Sequence, residues 1–68
     1  MKMRLRIKEL LKEKGLTQYK LAQLSGVRES SLSALARNKQ DAVNLRHLEK
    51  IAAALEVNPL ELFEVEEN

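Results

Sequence analysis

Several residue types are rare or absent in this 68-residue sequence, and each absence excludes a class of function. Without cysteine the chain can form no disulfide, no thiolate nucleophile and no cysteine zinc site, and the lone His47 cannot build a histidine cluster. We therefore predict no metal and no cofactor. Tyr19 and Phe63 are the only aromatic residues, which are too few for the base-stacking platforms of RNA and single-strand binders.

Long apolar runs are also missing. No stretch approaches the roughly 18 consecutive apolar residues that cross a membrane, and no unbroken apolar segment follows the basic N-terminus as in a secretory signal. The sequence therefore predicts a soluble, cytoplasmic protein without a membrane partner, and the lack of cysteine is compatible with a reducing compartment.

Length and composition favour a single small globular domain over residues 1–68, because 44% of the residues are apolar and 32% are charged. A chain this short buries only about 60% of its extended surface, so its stability margin is thin. Dimerisation is the stabilising device that remains without disulfides or metals, and we expect a homodimer. No nucleophile, acid–base pair or phosphate loop indicates an enzyme, and no small-molecule site is evident.

The two halves of the chain carry opposite charge, although the formal net charge is only +2. Residues 1–39 contain ten basic and three acidic side chains, whereas residues 40–68 contain two basic and seven acidic ones. A basic half favours a polyanion such as nucleic acid as partner, but solvated charges on a helical protein are an equally simple explanation.

Helix starts are marked four times by two apolar residues five positions apart around a capping residue. Asn58 gives the clearest start, because Pro59 follows at the first helical position and Glu61 can complete a capping box. An additional, earlier helix is predicted around Ile7, ending at Gly15 in the left-handed conformation. The pattern thus predicts a mainly α fold with five helices. The four capping residues are Thr17, Arg28, Asn44 and Asn58.

Polar and apolar residues alternate in segments 2–7 and 63–66, which favours strands at the two ends of the sequence. The first segment is basic and the second acidic, so antiparallel pairing would set arginine and lysine opposite glutamate. We therefore predict a small two-stranded antiparallel sheet joining the N- and C-terminal segments. The alternative is a first helix that begins at residue 2 and a frayed tail.

Residues 17–38 place two short helices on either side of Gly26 with almost no connector. Gly26 supplies backbone freedom at the turn, and Ala22 is small where the second helix must approach closely. Val27, Leu32 and Leu35 pin the second helix across the first. This spacing is typical of a helix-turn-helix.

Over nearly its whole length the sequence resembles the helix-turn-helix family of the phage Cro and cI repressors and of many small bacterial regulators. In that family the second helix of the motif enters the major groove and the first crosses the phosphate backbone. The resemblance implies a five-helix domain and a sequence-specific double-stranded DNA-binding transcriptional regulator, in particular a repressor, with the 29–37 helix in the groove. A homodimer would place two such helices about 34 Å apart.

Three groups of DNA-binding residues follow from the resemblance. Phosphate contacts at the start of the first motif helix are implied for Thr17 and Gln18, the latter also bracing the second helix. Contacts to the groove floor are implied for Arg28, Glu29, Ser30, Ser33 and Ala34. A clamp on the DNA backbone after the second helix is implied for Arg37, Asn38 and Lys39.

Some positions leave alternatives open. Ala36 stands where many relatives carry glutamate, and Asn38 replaces the usual glycine, although asparagine tolerates the left-handed conformation. Leu60, Phe63 and Val65 are candidates for the dimer interface, with the terminal strands as an alternative. The competing function is a protein-binding module of the same fold, such as an antitoxin that neutralises a toxin.

Overall fold

Four α-helices and one two-stranded sheet form the framework of residues 1–39 and 42–67, the part of the chain that the computed structural model describes. The elements follow one another as β1, α1, α2, α3, α4, a short 3-10 helix and β2. Their bounds are Lys2–Leu5, Ile7–Lys14, Gln18–Ser25, Glu29–Ala36, Leu45–Leu55, Pro59–Leu62 and Phe63–Glu66.

The predicted capping residues all occupy N-cap positions, but they satisfy the helix ends differently. The Thr17 hydroxyl accepts the Lys20 main-chain N–H at 3.1 Å, and the Asn44 side chain accepts two main-chain N–H groups at the start of α4. Arg28 has no acceptor to offer and forms no side-chain cap bond. The first main-chain N–H groups of α3 therefore have no capping side chain as acceptor. Such groups at a helix start can bind solvent or a ligand.

Three helices of the described ranges end in the same left-handed turn. One residue adopts positive φ, and its N–H and that of the next residue bind carbonyls of the last helical turn, the Schellman arrangement. In these three turns the residues with positive φ are Gly15, Asn38 and Glu56, and Gly26, which ends α2, also has positive φ. The conformation of Gly15 was predicted, and the asparagine adopts the conformation that it was expected to tolerate.

The prediction of a fifth α-helix is wrong. The capping box at Asn58 is present, because its side chain accepts a main-chain N–H and Glu61 Oε2 accepts the Asn58 N–H at 2.8 Å. The segment nevertheless forms only the 3-10 helix Pro59–Leu62, since the chain turns into β2 at Phe63. Four residues are too few for the cooperative hydrogen bonding that stabilises an α-helix.

The predicted antiparallel sheet is present. Lys2 lies opposite Glu66 and Arg4 lies opposite Glu64, while Met3 and Leu5 face Val65 and Phe63. The Arg4 guanidinium pairs with Glu64, with Glu9 at 2.9 Å and with Glu66 at 3.3 Å. The carboxylates of Glu64 and then Glu9 raise the pKa of Arg4. The sheet therefore joins the two ends of the sequence and ties them to α1.

The core consists of apolar residues from every helix and from β1. Leu21, Leu32, Ile51 and Leu62 have no exposed surface, so α2, α3, α4 and the 3-10 helix share one interior. No helix in the described ranges is long and apolar enough to cross a membrane.

Candidate nucleic-acid interface

The turn between α2 and α3 fixes the position of α3. Gly26 ends α2 with φ 76°, and the Ser25 hydroxyl accepts the Val27 N–H at 3.2 Å. Val27 is buried, as are Leu21 on α2 and Leu32 on α3. The apolar side of α3 is thus held against the core, and its opposite side is turned outward.

The outward side of α3 is polar and carries the predicted groove residues. Leu32, Leu35 and Ala36 are buried, whereas Glu29 and Ser30 are exposed. Ser33 and Ala34 are half-buried. Because residues three and four apart share one side of a helix, the predicted groove residues of α3 form one continuous stripe. The stripe contains Glu29, Ser30, Ser33 and Ala34, with Arg28 before it and Arg37 after it.

The helix itself is one residue shorter than the predicted segment 29–37. It ends at Ala36, and Arg37 is its C-cap residue. The Arg37 Nε donates to the Ser33 carbonyl at 3.4 Å, so the guanidinium lies back along the last turn.

Arg28 and Arg37 form no ion pair with any carboxylate of residues 1–39 and 42–67. Arg4 and Arg6, by contrast, pair with glutamates, Arg6 with Glu13 at 3.3 Å. The arginines of the first half of the chain therefore divide into two that pair with glutamates of the fold and two, beside the outward side of α3, that have no such partner among the described residues.

The predicted phosphate contacts Thr17 and Gln18 lie at the start of α2. Thr17 is exposed but already serves as N-cap, and Gln18 is half-buried. Within the described ranges the Gln18 side chain forms no hydrogen bond to α3, so its bracing role stays a prediction. Sequence reasoning gave little weight to Tyr19, which is 61% exposed and whose hydroxyl accepts from Gln23 Nε2 at 3.2 Å. The four-residue spacing of the two side chains on one helix was the available signal.

Residues 38 and 39 lie at the end of α3, as predicted, and both are exposed. Their main-chain N–H groups bind the carbonyls of Leu35 and Ala34, each at 3.1 Å. Although Asn38 is exposed, both polar atoms of its side chain bind the main chain of Leu5. Sequence reasoning missed this contact.

The candidate dimer residues lie at the 3-10 helix and β2. Leu60 is 78% exposed and Val65 is 51% exposed, whereas Phe63 is half-buried and packs against the core. Met3, which faces Val65 across the sheet, is 64% exposed and extends this apolar surface. The alternation of β1 was the signal that could have added it.

Among the described residues there is no group of three or more histidine, cysteine or carboxylate side chains that could hold a metal ion.

The chain is similar in sequence and in structure to known DNA-binding domains. The family model for the Cro/C1-type HTH DNA-binding domain matches residues 6–68. A curated relative, the HTH-type transcriptional regulator SinR of Bacillus subtilis strain 168, is 43% identical over 53 residues. The match covers 78% of this chain and 48% of SinR, so the chain spans about half the length of the curated relatives it matches.

Two solved structures share the fold. The crystal structure of SinR, the master regulator for biofilm formation, in complex with DNA superposes with a TM-score of 0.77 at 42% identity, covering 84% of this chain and 90% of that one. A candidate DNA-binding protein from Bacteroides fragilis gives a TM-score of 0.79 at 36% identity, covering 93% of this chain and 100% of that one.

Proposed function

Because the chain belongs to the Cro/C1-type helix-turn-helix DNA-binding domain family, we propose that it binds double-stranded DNA sequence-specifically and regulates transcription as a repressor. The observation that carries this proposal is the polar outward side of α3, flanked by two arginines without an ion-pair partner among the described residues. The DNA-bound SinR structure, with its similar fold, supports the same conclusion. The protein would act where the chromosome lies, in the cytoplasm.

The dimensions of α3 suit a major groove. Arg28 precedes the helix and Arg37 follows it, and nine residue steps correspond to about 14 Å along the axis. The major groove is about 12 Å wide, so the two guanidinium groups can reach its opposite phosphate walls or adjacent guanines while the helix lies between them. Arg37 need only release its 3.4 Å contact with the Ser33 carbonyl.

Base recognition would come from the middle of the stripe. The Ser30 and Ser33 hydroxyls can donate to and accept from base edges, and the Glu29 carboxylate can accept from cytosine N4. Ala34 offers only a methyl group, which suits the methyl of thymine. Few long side chains reach the groove floor, so we expect a modest sequence preference.

Phosphate contacts would position the helix on both sides. The helix N-termini of α2 and α3 direct main-chain N–H groups and a partial positive charge toward anions. Thr17 and Gln18 lie at the first of these ends. Residues Arg37, Asn38 and Lys39 would contact the backbone beyond α3, Asn38 only through groups that its bonds to Leu5 leave open.

A binding selection from a random duplex pool, followed by titration of the winning duplex, tests the proposal. Arg28→Ala and Arg37→Ala are each expected to weaken binding by about five- to tenfold, and to reduce the slope of log K against log salt by about one where the guanidinium contacts phosphate. Lys50→Ala, which removes one charge from an exposed position on α4, is the matched control and is expected to bind like the wild type. An unenriched pool contradicts sequence-specific recognition, and no salt-dependent DNA binding at all favours the protein-binding module.

A further inference from the structure

The side chain of Asn38 ties the end of α3 to the first strand. Its Oδ1 accepts the Leu5 N–H at 2.7 Å, and its Nδ2 donates to the Leu5 carbonyl at 3.1 Å. The two residues are 33 positions apart in the sequence. A planar amide that binds both the N–H and the carbonyl of one residue fixes the relative orientation of the two residues as well as their distance. The amide cannot turn about one hydrogen bond without breaking the other.

The register of the sheet explains why Leu5 is available for this contact. In an antiparallel pair, residues alternate between those that bond to the partner strand and those whose main-chain groups face away from it. The Arg6 N–H binds the Leu62 carbonyl at 2.7 Å, so its neighbour Leu5 directs its N–H and carbonyl to the open edge of β1. The Asn38 amide occupies that edge as a third strand would.

Asn38 adopts a backbone conformation that asparagine tolerates at some cost and that glycine adopts freely. The residue has φ 55°, a region in which glycine is free of strain and most side chains are not. Glycine at this position would form the same Schellman turn. Asparagine makes the same turn and adds a side chain that reaches β1.

We infer that Asn38 is a positioning residue for DNA recognition, holding the C-terminal end of α3 against the terminal sheet. The inference rests on the proposed function and concerns how its recognition helix is held. The N-terminal end of α3 is fixed by the turn at Gly26 and the buried Val27, and Asn38 supplies the second point of attachment. With both ends fixed, the stripe between Arg28 and Arg37 meets the groove in one orientation.

The attachment also makes the terminal sheet part of the recognition apparatus. Leu5 belongs to β1. The residue before it, Arg4, forms ion pairs with Glu9 on α1 and with Glu64 and Glu66 on β2. A change in the pairing of β1 with β2 would therefore reach α3 through the Asn38 side chain as well as through the shared core.

Asn38→Gly is the decisive variant, because it keeps the left-handed turn and removes only the side chain. Relief of the backbone cost offsets the loss of two hydrogen bonds, so the thermal midpoint is expected to stay within about 3 °C of the wild type. Affinity for the selected duplex is expected to fall by roughly five- to tenfold, and the Leu5 amide of the free protein is expected to exchange faster with solvent. The matched control is Glu56→Gly, which also introduces glycine at a positive-φ position, the equivalent cap of α4, and is expected to leave DNA affinity unchanged.

A double-mutant cycle with Ser33→Ala separates positioning from direct contact. If Asn38 acts through α3, the losses in affinity are less than additive, because a misplaced helix already weakens the Ser33 contact. Additive losses with unchanged Leu5 exchange would mean that Asn38 acts only by contacting DNA and not through α3, and unchanged affinity with faster Leu5 exchange would mean that the bonds to Leu5 do not position α3. Either result overturns the inference. If the wild type binds no duplex, the proposed function fails first, and with it the role of Asn38 in recognition.

Discussion

The left-handed residues at the helix ends differ in whether their conformation can be predicted from residue type. Gly15 and Asn38 are residue types that adopt positive φ readily, and their conformations could be anticipated. Glu56 has φ 58° without any such preference. It is held there by its own N–H bond to Ala53 and by the bond from Val57 to Ala52, which the sequence does not reveal.

Glu56→Gly is therefore expected to stabilise the protein by about 0.5–1 kcal/mol. Glycine removes the cost of the left-handed conformation and a negative charge at the end of a helix, which exceeds the greater freedom it gives the unfolded chain. Urea unfolding measures the difference. The control is Glu49→Gly, an exposed position inside α4 where glycine should cost about 1 kcal/mol. Destabilisation by Glu56→Gly would show that the side chain makes a compensating contact.

Among the candidate site residues, the sequence could assign positions but not partners. The stripe on α3 follows from helical spacing, and its exposed and buried sides are where the pattern predicts them. The Asn38 contact with Leu5 joins residues far apart in the sequence, and no local pattern encodes it. Such contacts depend on the packing of whole elements.

At the scale of elements, local signals placed the helix starts and the two strands, and failed where two elements compete for the same residues. The cap at Asn58 favours a helix, and the alternation from Phe63 favours a strand. The strand prevails because it pairs with β1, a gain that depends on residues at the other end of the chain. The fifth helix is consequently reduced to a single 3-10 turn.

The junction of β1 with α1 is expected to weaken in acid. The hydrogen bond from its own main-chain N–H lowers the pKa of Glu9 from its ordinary value of 4.5; partial burial opposes this, and the Arg4 guanidinium adds to the lowering. A carboxyl with a lowered folded-state pKa stabilises the fold above its ordinary pKa, and this contribution is lost as pH falls through the folded value. Stability should therefore decline as pH drops below about 4.5.

Glu9→Gln tests this expectation. The variant should lose about 0.5 kcal/mol or less at pH 7, because the carboxylate is partly exposed to solvent, and its stability should depend less on pH in the acid range. Glu67→Gln removes the same charge beyond β2 and is the control. Chemical denaturation at a series of pH values gives the result, and identical acid profiles for the wild type and Glu9→Gln would contradict the assignment.

At the scale of the whole molecule, the size of the domain and the distribution of its charge both relate to the polar outward side of α3. The domain measures 35 × 22 × 17 Å, so two copies would have to lie end to end along the longest axis for their centres to be separated by about 34 Å, the spacing between successive major grooves. The acidic second half of the chain supplies Glu64 and Glu66 to Arg4. The composition indicated this polarity, but only the sheet register shows which charges cancel inside the fold.

The proposed homodimer is tested at Leu60 and Val65. Both side chains are exposed, so the double variant Leu60→Ser/Val65→Ser should change monomer stability by about 0.5 kcal/mol per site or less. If these residues form the interface, the dimer dissociation constant should rise by at least about tenfold. Sedimentation equilibrium provides the measurement, with Leu45→Ser, at an apolar position 71% exposed on α4, as control. A wild type that stays monomeric, or a double variant that dimerises equally well, would exclude this surface.

The pairing of β1 with β2 also has a consequence for the order of folding. Residues of α1 to α4 find most of their partners nearby in the sequence, whereas Arg4 must wait for Glu64, 60 positions later. Closing a loop of that length costs chain entropy, and two four-residue strands offset this cost only when most of their pairing has formed. We therefore expect the helices to assemble first and the strands to pair last. During synthesis β1 is made before the four helices and β2, and it is the last of these elements to find its partner. Leu5 and Asn38 are both synthesised before β2. The Asn38 side chain can therefore bind Leu5 and hold β1 beside α3 until β2 is available to pair with it.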